Sequence, residues 1–276
     1  PASGALCATW STRAGCPALR PLTPRLLVLS TTQAQTAAIS PVVTPACPFA
    51  ISYVTTTLKQ SKQDQALETS RLHPIPNLSF DPHLHQYSWL GKKIPVSVTS
   101  VISFDLDQNA RDRIAETKHI WEPRGNACHD ALEAFLNGAQ EAPEGDYAEW
   151  LGPLFSYPLW DRYGAIATEY RLVDKKGRYA GSCDFLLKGT DKAGKELTIL
   201  GDLKSKSASG RVGDHKCQLG AYASMFAQHH PSLWIDRCVV VNSFPGRVEL
   251  STYETQDCLD AWDQQWERYQ SWQPAF

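Results

Sequence analysis

The sequence predicts an α/β protein: one mixed β-sheet flanked by helices. Three observations predict it. Strand-like segments at about Ile166–Val173, Tyr179–Leu187 and Leu197–Leu203 stand side by side, separated only by turn residues. A helical segment and a further strand follow them, and helical segments come before. Adjacent strands interleaved with amphipathic helices bury their apolar faces as one sheet with helices packed on it.

The 276 residues suffice for one good-sized domain plus a tail, or for two small domains. A hydrophobic share of 42% and a charged share of 20% are those of an ordinary globular protein. The longest early apolar run, Leu26-Leu27-Val28-Leu29, falls far short of the ~20 residues of a membrane span, so no membrane partner is expected. Net charge is −2, unevenly placed: 171–216 holds 11 Lys/Arg against 6 Asp/Glu, whereas 249–268 holds 6 Asp/Glu against one Arg. Such a division suits a chain with one nucleic-acid-facing surface; uneven solvated surface is the plainer reading.

Residues 1–75 are expected to form a disordered or weakly ordered tail, and 76–276 the folded domain. Residues 1–63 contain no Asp or Glu, five Lys/Arg and seven Pro, with no lasting apolar face. That composition fits an organelle transit peptide or a translated stretch without a role, and both stay open. The expected location is intracellular, in the cytoplasm or in an organelle if the tail is a transit peptide.

From Pro76 the pattern becomes regular. Phe80–Ser97 reads as a hairpin with arms at 85–89 and 94–98 and Gly91 at its turn. A helix follows over about Asn109–Trp121. Pro123 and Gly125 punctuate, and a second helix covers Ala127–Leu136, with Cys128, Ala131, Leu132 and Phe135 on one face. A third lies near Tyr147–Phe155, before Pro158. After the three strands come a helix at about Gly213–Gln228, strands at Arg237–Asn242 and Val248–Tyr253, and a closing helix at Gln256–Trp272. In the last, Leu259, Trp262, Trp266 and Tyr269 make a stripe that reads as core. The eight cysteines are widely spaced without a CxxC pair, so free thiols are expected.

Asp202-Leu203-Lys204 ends an apolar strand. Alternation puts Asp202 and Lys204 on one face and Leu203 toward the core. Such a carboxylate can hold a hard divalent cation, and the lysine can steady a phosphate or position a water; a surface ion pair is the plainer alternative. Asp184 interrupts a strand of small and apolar residues, where an unpartnered acid is costly; a metal, or a buried salt bridge to Lys204 or Arg178, would explain it. Glu169 can reach the same sheet end if its strand pairs with the next as a hairpin. Gln218 and Tyr222 share a helix face. His129 flanks the apolar stripe of its helix and is either a structural residue or a ligand for an ion such as Mn2+.

In order and placement, Gly125-x3-His129, Glu169, Gly181-x-x-Asp184, Asp202-x-Lys204 and Gln218-x3-Tyr222 resemble the RecB-like exonuclease branch of the PD-(D/E)xK superfamily. The segment with Phe80-Asp81-Pro82, His85-Gln86-Tyr87, Gly91 and Ser97-Val98-Thr99 is similar to the amino end of its phage, bacterial and mitochondrial exonucleases. The resemblance spans about 78–245. It departs at the family's proline, since Ser182-Cys183 precede Asp184. The cysteine spacing does not reproduce the four-Cys iron–sulfur cluster of some relatives, so no cluster is expected.

The resemblance implies a restriction-endonuclease-like core and a Mg2+- or Mn2+-dependent DNA nuclease, an exonuclease with little sequence specificity serving DNA repair or recombination. Asp184, Asp202, the Leu203 carbonyl and His129 would hold metal, with Glu169 in support, and Lys204 would act on the attacking water. Gln218, Tyr222, Lys206, Arg211 and Lys216 would hold the backbone of DNA ends or single strands. A site- or structure-specific endonuclease of this fold, an inactive DNA-binding homologue and an unrelated protein with surface ion pairs are the alternatives.

Overall fold

The computed structural model describes residues 71–139 and 145–272. The expected tail through residue 70, and with it Cys7, Cys16 and Cys47, lies outside the described residues. The chain is mixed α/β, with helices on both faces of a mixed sheet.

Strands β1 (Leu78–Asp81), β2 (Gln86–Trp89) and β3 (Lys92–Lys93) form a small antiparallel sheet. The turn at Gly91 is where the sequence places it: Leu90 and Gly91 both have positive φ, as a two-residue hairpin loop requires. The expected second arm at 94–98 does not form. Ile94 still donates its N–H to Tyr87, but Pro95 has no N–H to continue the ladder. The chain leaves instead to make β4 (Val96–Ser97), parallel to β6, and a short helix α1 (Val98–Ile102) that the sequence did not announce.

The two helices expected at 109–121 and 127–136 are one, α2 (Gln108–Leu136). Pro123 removes a single intrahelical bond. Anchors on both sides outweigh the break: Asp107 caps the start by accepting the Ala110 N–H, Arg124 is fastened to Ser205, and Cys128 and Leu132 are buried. The half before Pro123 is exposed throughout 111–121. Helix α3 (Ala148–Phe155) packs against α2 through a Phe135–Phe155 stack at 4.5 Å.

Strands β5 (Tyr163–Val173), β6 (Tyr179–Thr190) and β7 (Glu196–Ser205) form the expected antiparallel meander. After α4 (Lys216–His229), β8 (Arg237–Phe244) lies parallel to β7, and β9 (Arg247–Glu254) closes the sheet antiparallel to β8. Helix α5 (Thr255–Trp272) ends the described chain. Alternation divides β7 and β8: Ile199, Leu203, Val239 and Val241 face α2 and α3, while Leu200, Cys238 and Val240 face α1, α4 and α5. Trp262 and Tyr269 are buried and Leu259 and Trp266 pack beside them, so the α5 stripe is core. Helices α4 and α5 approach so closely that a methyl group on Gly220 would stand 1.9 Å from the Cys258 carbonyl oxygen. Cys128, Cys183, Cys238 and Cys258 are buried free thiols, and Cys217 is a half-buried one. Among the described residues no helix is long and apolar enough to cross a membrane.

Candidate active site

Strands β6 and β7 are paired from Thr190↔Glu196 to Phe185↔Gly201 and then part. Beyond that point β6 is held by β5 and β4, and β7 by β8, so the sheet forks. Asp184 is the first β6 residue in the fork, and its Oδ2 accepts the Leu203 N–H at 2.5 Å in place of a ladder partner. The carboxylate thereby spans the gap between the strands. Asp202 and Lys204 project from β7 on one face, with Leu203 fully buried between them, as alternation predicts.

Asp202 is 1% exposed. Its Oδ1 accepts from Gln218 Nε2 at 2.8 Å, and the same amide donates to the Tyr222 hydroxyl at 3.1 Å. Its Oδ2 lies 2.7 Å from Lys204 Nζ yet makes no aligned hydrogen bond. Burial and the nearby Asp184 push the Asp202 carboxyl up, against the pull of Lys204. Burial works to lower Lys204, but Asp202 and Asp184 outweigh it, so the ammonium keeps its proton. The Tyr222 phenol is held neutral by burial and by the charge of Asp202. Its ring covers Gly181 so tightly that a methyl there would be 2.7 Å from Cε1.

On the other side of Asp184 stands His129, on α2 five residues after the buried Arg124. Its Nδ1 is 3.3 Å from Asp184 Oδ2 and 3.8 Å from Glu169 Oε1. Glu169 lies opposite Asp184, since Thr168↔Phe185 and Tyr170↔Cys183 flank the two. Glu169 has φ +43°, a left-handed conformation unusual for a strand residue, and it is this outlier that turns the side chain toward the histidine. Burial would lower His129, but the two carboxylates reverse the effect and push it up to about 10.

Ligand atoms of His129, Glu169 and Asp184 lie within 4.8 Å of one another. An octahedral ion of Mg2+ size separates adjacent ligands by roughly 3 Å, so small side-chain adjustments would let one cation bridge the three. The two carboxylates suit a hard divalent cation, and the imidazole favours a transition metal over Mg2+. Asp202 stands outside this group, its Oδ2 paired with Lys204 at 2.7 Å.

No family model matches the chain, and no curated protein matches it. Among solved structures it is similar to SSO0001, at 14% identity over 81% of this chain and 88% of that one, with a TM-score of 0.38.

The structure thus brings His129, Glu169, Asp184, Asp202, Leu203, Lys204, Gln218 and Tyr222 to one fork. Gln218 and Tyr222 form the wall behind Asp202 and point inward. Leu203 meets Asp184 through its N–H, whereas the resemblance implies a metal-binding role for its carbonyl. Of the three outlying cations, Arg211 is exposed on the loop from β7 to α4, while Lys206 and Lys216 are half-buried. Burial and neighbouring Lys204 lower Lys206. Lys216 lies 3.5 Å from Asp214 and over the Tyr253 ring. Sequence reasoning missed Arg124, which donates to the Ser205 hydroxyl and carbonyl at 3.2 Å and so ties α2 to the end of β7. Its signal was an arginine four residues before Cys128 on the apolar stripe.

Proposed function

We propose that this chain is a Mg2+- or Mn2+-dependent DNA nuclease of the PD-(D/E)xK superfamily with a restriction-endonuclease-like core, an exonuclease that hydrolyses phosphodiester bonds with little sequence specificity. The observation that carries the reading is the convergence of His129, Glu169 and Asp184, from three separate elements, within 4.8 Å beside the buried Asp202–Lys204 pair.

His129, Glu169 and Asp184 would hold the ion, with Asp202 beside them, paired with Lys204. When bound, the ion supplies Lewis-acid polarisation of the scissile phosphate and lowers the pKa of an attacking water. Lys204 keeps a fixed positive charge at the mouth of the fork, where the phosphate gains negative charge during attack. Gln218 holds Asp202 in the orientation that aims that ammonium. Asp184 fixes the Leu203 backbone and hence the spacing of the fork. Lys206, Arg211 and Lys216 supply positive charge for the DNA backbone. Such contacts carry no base information, which supports low sequence specificity.

Purified protein with Mg2+ or Mn2+ is expected to degrade linear or single-stranded DNA, and Asp202→Ala and Lys204→Ala to abolish the activity. Cleavage surviving both changes overturns the assignment. Cutting of closed circular DNA would make the protein an endonuclease.

A further inference from the structure

A cleft of ≈ 500 Å³ opens beside the fork, and Glu169 and Tyr222 belong to both. Its other walls are Phe80, His85 and Tyr87 from the β1–β2 hairpin, Ser182 from β6, and hydroxyls at the start of α1. We propose that this cleft seats one unpaired nucleoside of the DNA strand, its base stacked on the Phe80 ring with the His85 ring against its edge. The proposal deepens the nuclease reading and rests on it.

The chemistry of the walls selects this ligand. No Lys or Arg lines the cleft, so nothing inside it pairs with a phosphate, and an uncharged ring with polar edges is favoured. Phe80 meets His85 edge-on at 5.8 Å and Tyr87 at 4.6 Å, which makes an aromatic corner. Phe80 is half-buried and His85 exposed, so the corner is open to a ligand. Around it, Ser97 bonds Thr99 at 2.9 Å and Ser100 at 2.8 Å, and Tyr87 bonds Ser182 at 3.0 Å. Hydroxyls both donate and accept, so they tolerate the edge of any base.

The corner is also built in advance. Asp81 accepts the N–H groups of His83 and Leu84, which orders the turn leading into His85. The Tyr87–Ser182 bond fastens the hairpin to β6, two residues before Asp184. A nucleoside stacked here therefore has its backbone phosphate led toward the fork. A base inside a duplex has both faces covered, so only an unpaired or flipped nucleoside can stack on the corner.

The test uses the full chain in Ca2+ with oligonucleotides carrying 2-aminopurine at the 5′ or the 3′ end, single-stranded or as blunt duplex. Fluorescence quenching is expected at one end of the single strand and not in the duplex. The double variant Phe80→Leu/His85→Ala should weaken single-strand binding by about tenfold and abolish the quenching, whereas Phe80→Tyr should keep both. His85→Ala, at an exposed position, should reduce quenching even if the double variant misfolds. Quenching and affinity unchanged in these variants, or equal quenching in the duplex, overturn the proposal. Cleavage in Mg2+ without quenching in Ca2+ overturns the stacking site alone; quenching without cleavage overturns the nuclease reading alone.

Discussion

The carboxylate of Asp184 takes the backbone N–H of Leu203 across the gap where β6 and β7 part. One side chain thus shapes the fork and supplies a charge to it, and the two roles are separable. In Asp184→Asn the amide oxygen can still accept the N–H while the negative charge is lost. The variant should melt close to the wild type, bind Mn2+ more weakly in calorimetry, and cleave single-stranded DNA at least about a hundredfold more slowly. Asp184→Ala should lose both activity and stability.

Lys204 and Asp202 should behave as a unit. Lys204→Met strands a buried carboxylate, and should destabilise the fold by about 3 kcal/mol in urea unfolding. Adding Asp202→Asn should restore most of that stability and none of the activity. Additive losses in the double variant would show that the pair is not coupled.

Gly181 and Tyr222 set the depth of the wall behind Asp202. A methyl at 181 would press on the Tyr222 ring at 2.7 Å and on Val98 Cγ2 at 3.1 Å. Gly181→Ala should cost about 1–3 kcal/mol, and Tyr222→Leu in the same chain should recover part of it. The check is the melting temperature of the four proteins in the cycle.

Asp174 gives a pH signature remote from the site. Its buried carboxylate accepts Arg178 Nε and Nη2 at 2.8 and 3.0 Å, together with backbone N–H groups. Burial raises its pKa, but the Arg178 bonds prevail and hold it below the usual carboxylate value. A depressed native pKa means stability that is complete above the unfolded carboxylate pKa and lost as pH falls through the native one. Asp174→Asn should therefore be less stable than wild type at neutral pH, by about 2 kcal/mol, and the two stabilities should converge in acid.

Pro123 interrupts a helix that the rest of the molecule keeps whole. Pro123→Ala restores an N–H donor to the His119 carbonyl at an exposed position, and should stabilise the protein by about 1–3 kcal/mol in chemical denaturation.

The strands of the meander were legible because alternation and turns are local. The shared face of Asp202 and Lys204 followed from the same rule. Glu169 was harder: its approach to His129 depends on a positive φ in mid-strand, which no side-chain pattern announces. Helix α2 was divided in two because local rules weigh Pro123 and Gly125 but not Arg124 on Ser205, a contact between residues 81 apart. The Phe80–His85–Tyr87 corner had no chemical role in the sequence, since its meaning comes from lying over Ser182, far along the chain.

The fork also implies an order of assembly. Strands β5, β6 and β7 are joined by short turns, so Glu169, Asp184 and Asp202 meet through contacts that close cheaply in chain entropy. The β4 contact joins Val96 to Tyr179, about 80 residues apart, through two paired residues. Loop closure over that distance is slow. Glu169, Asp184 and Asp202 are therefore expected to come together before the aromatic wall docks, and in a refolding experiment amide protection of β5–β7 should precede the recovery of single-strand binding.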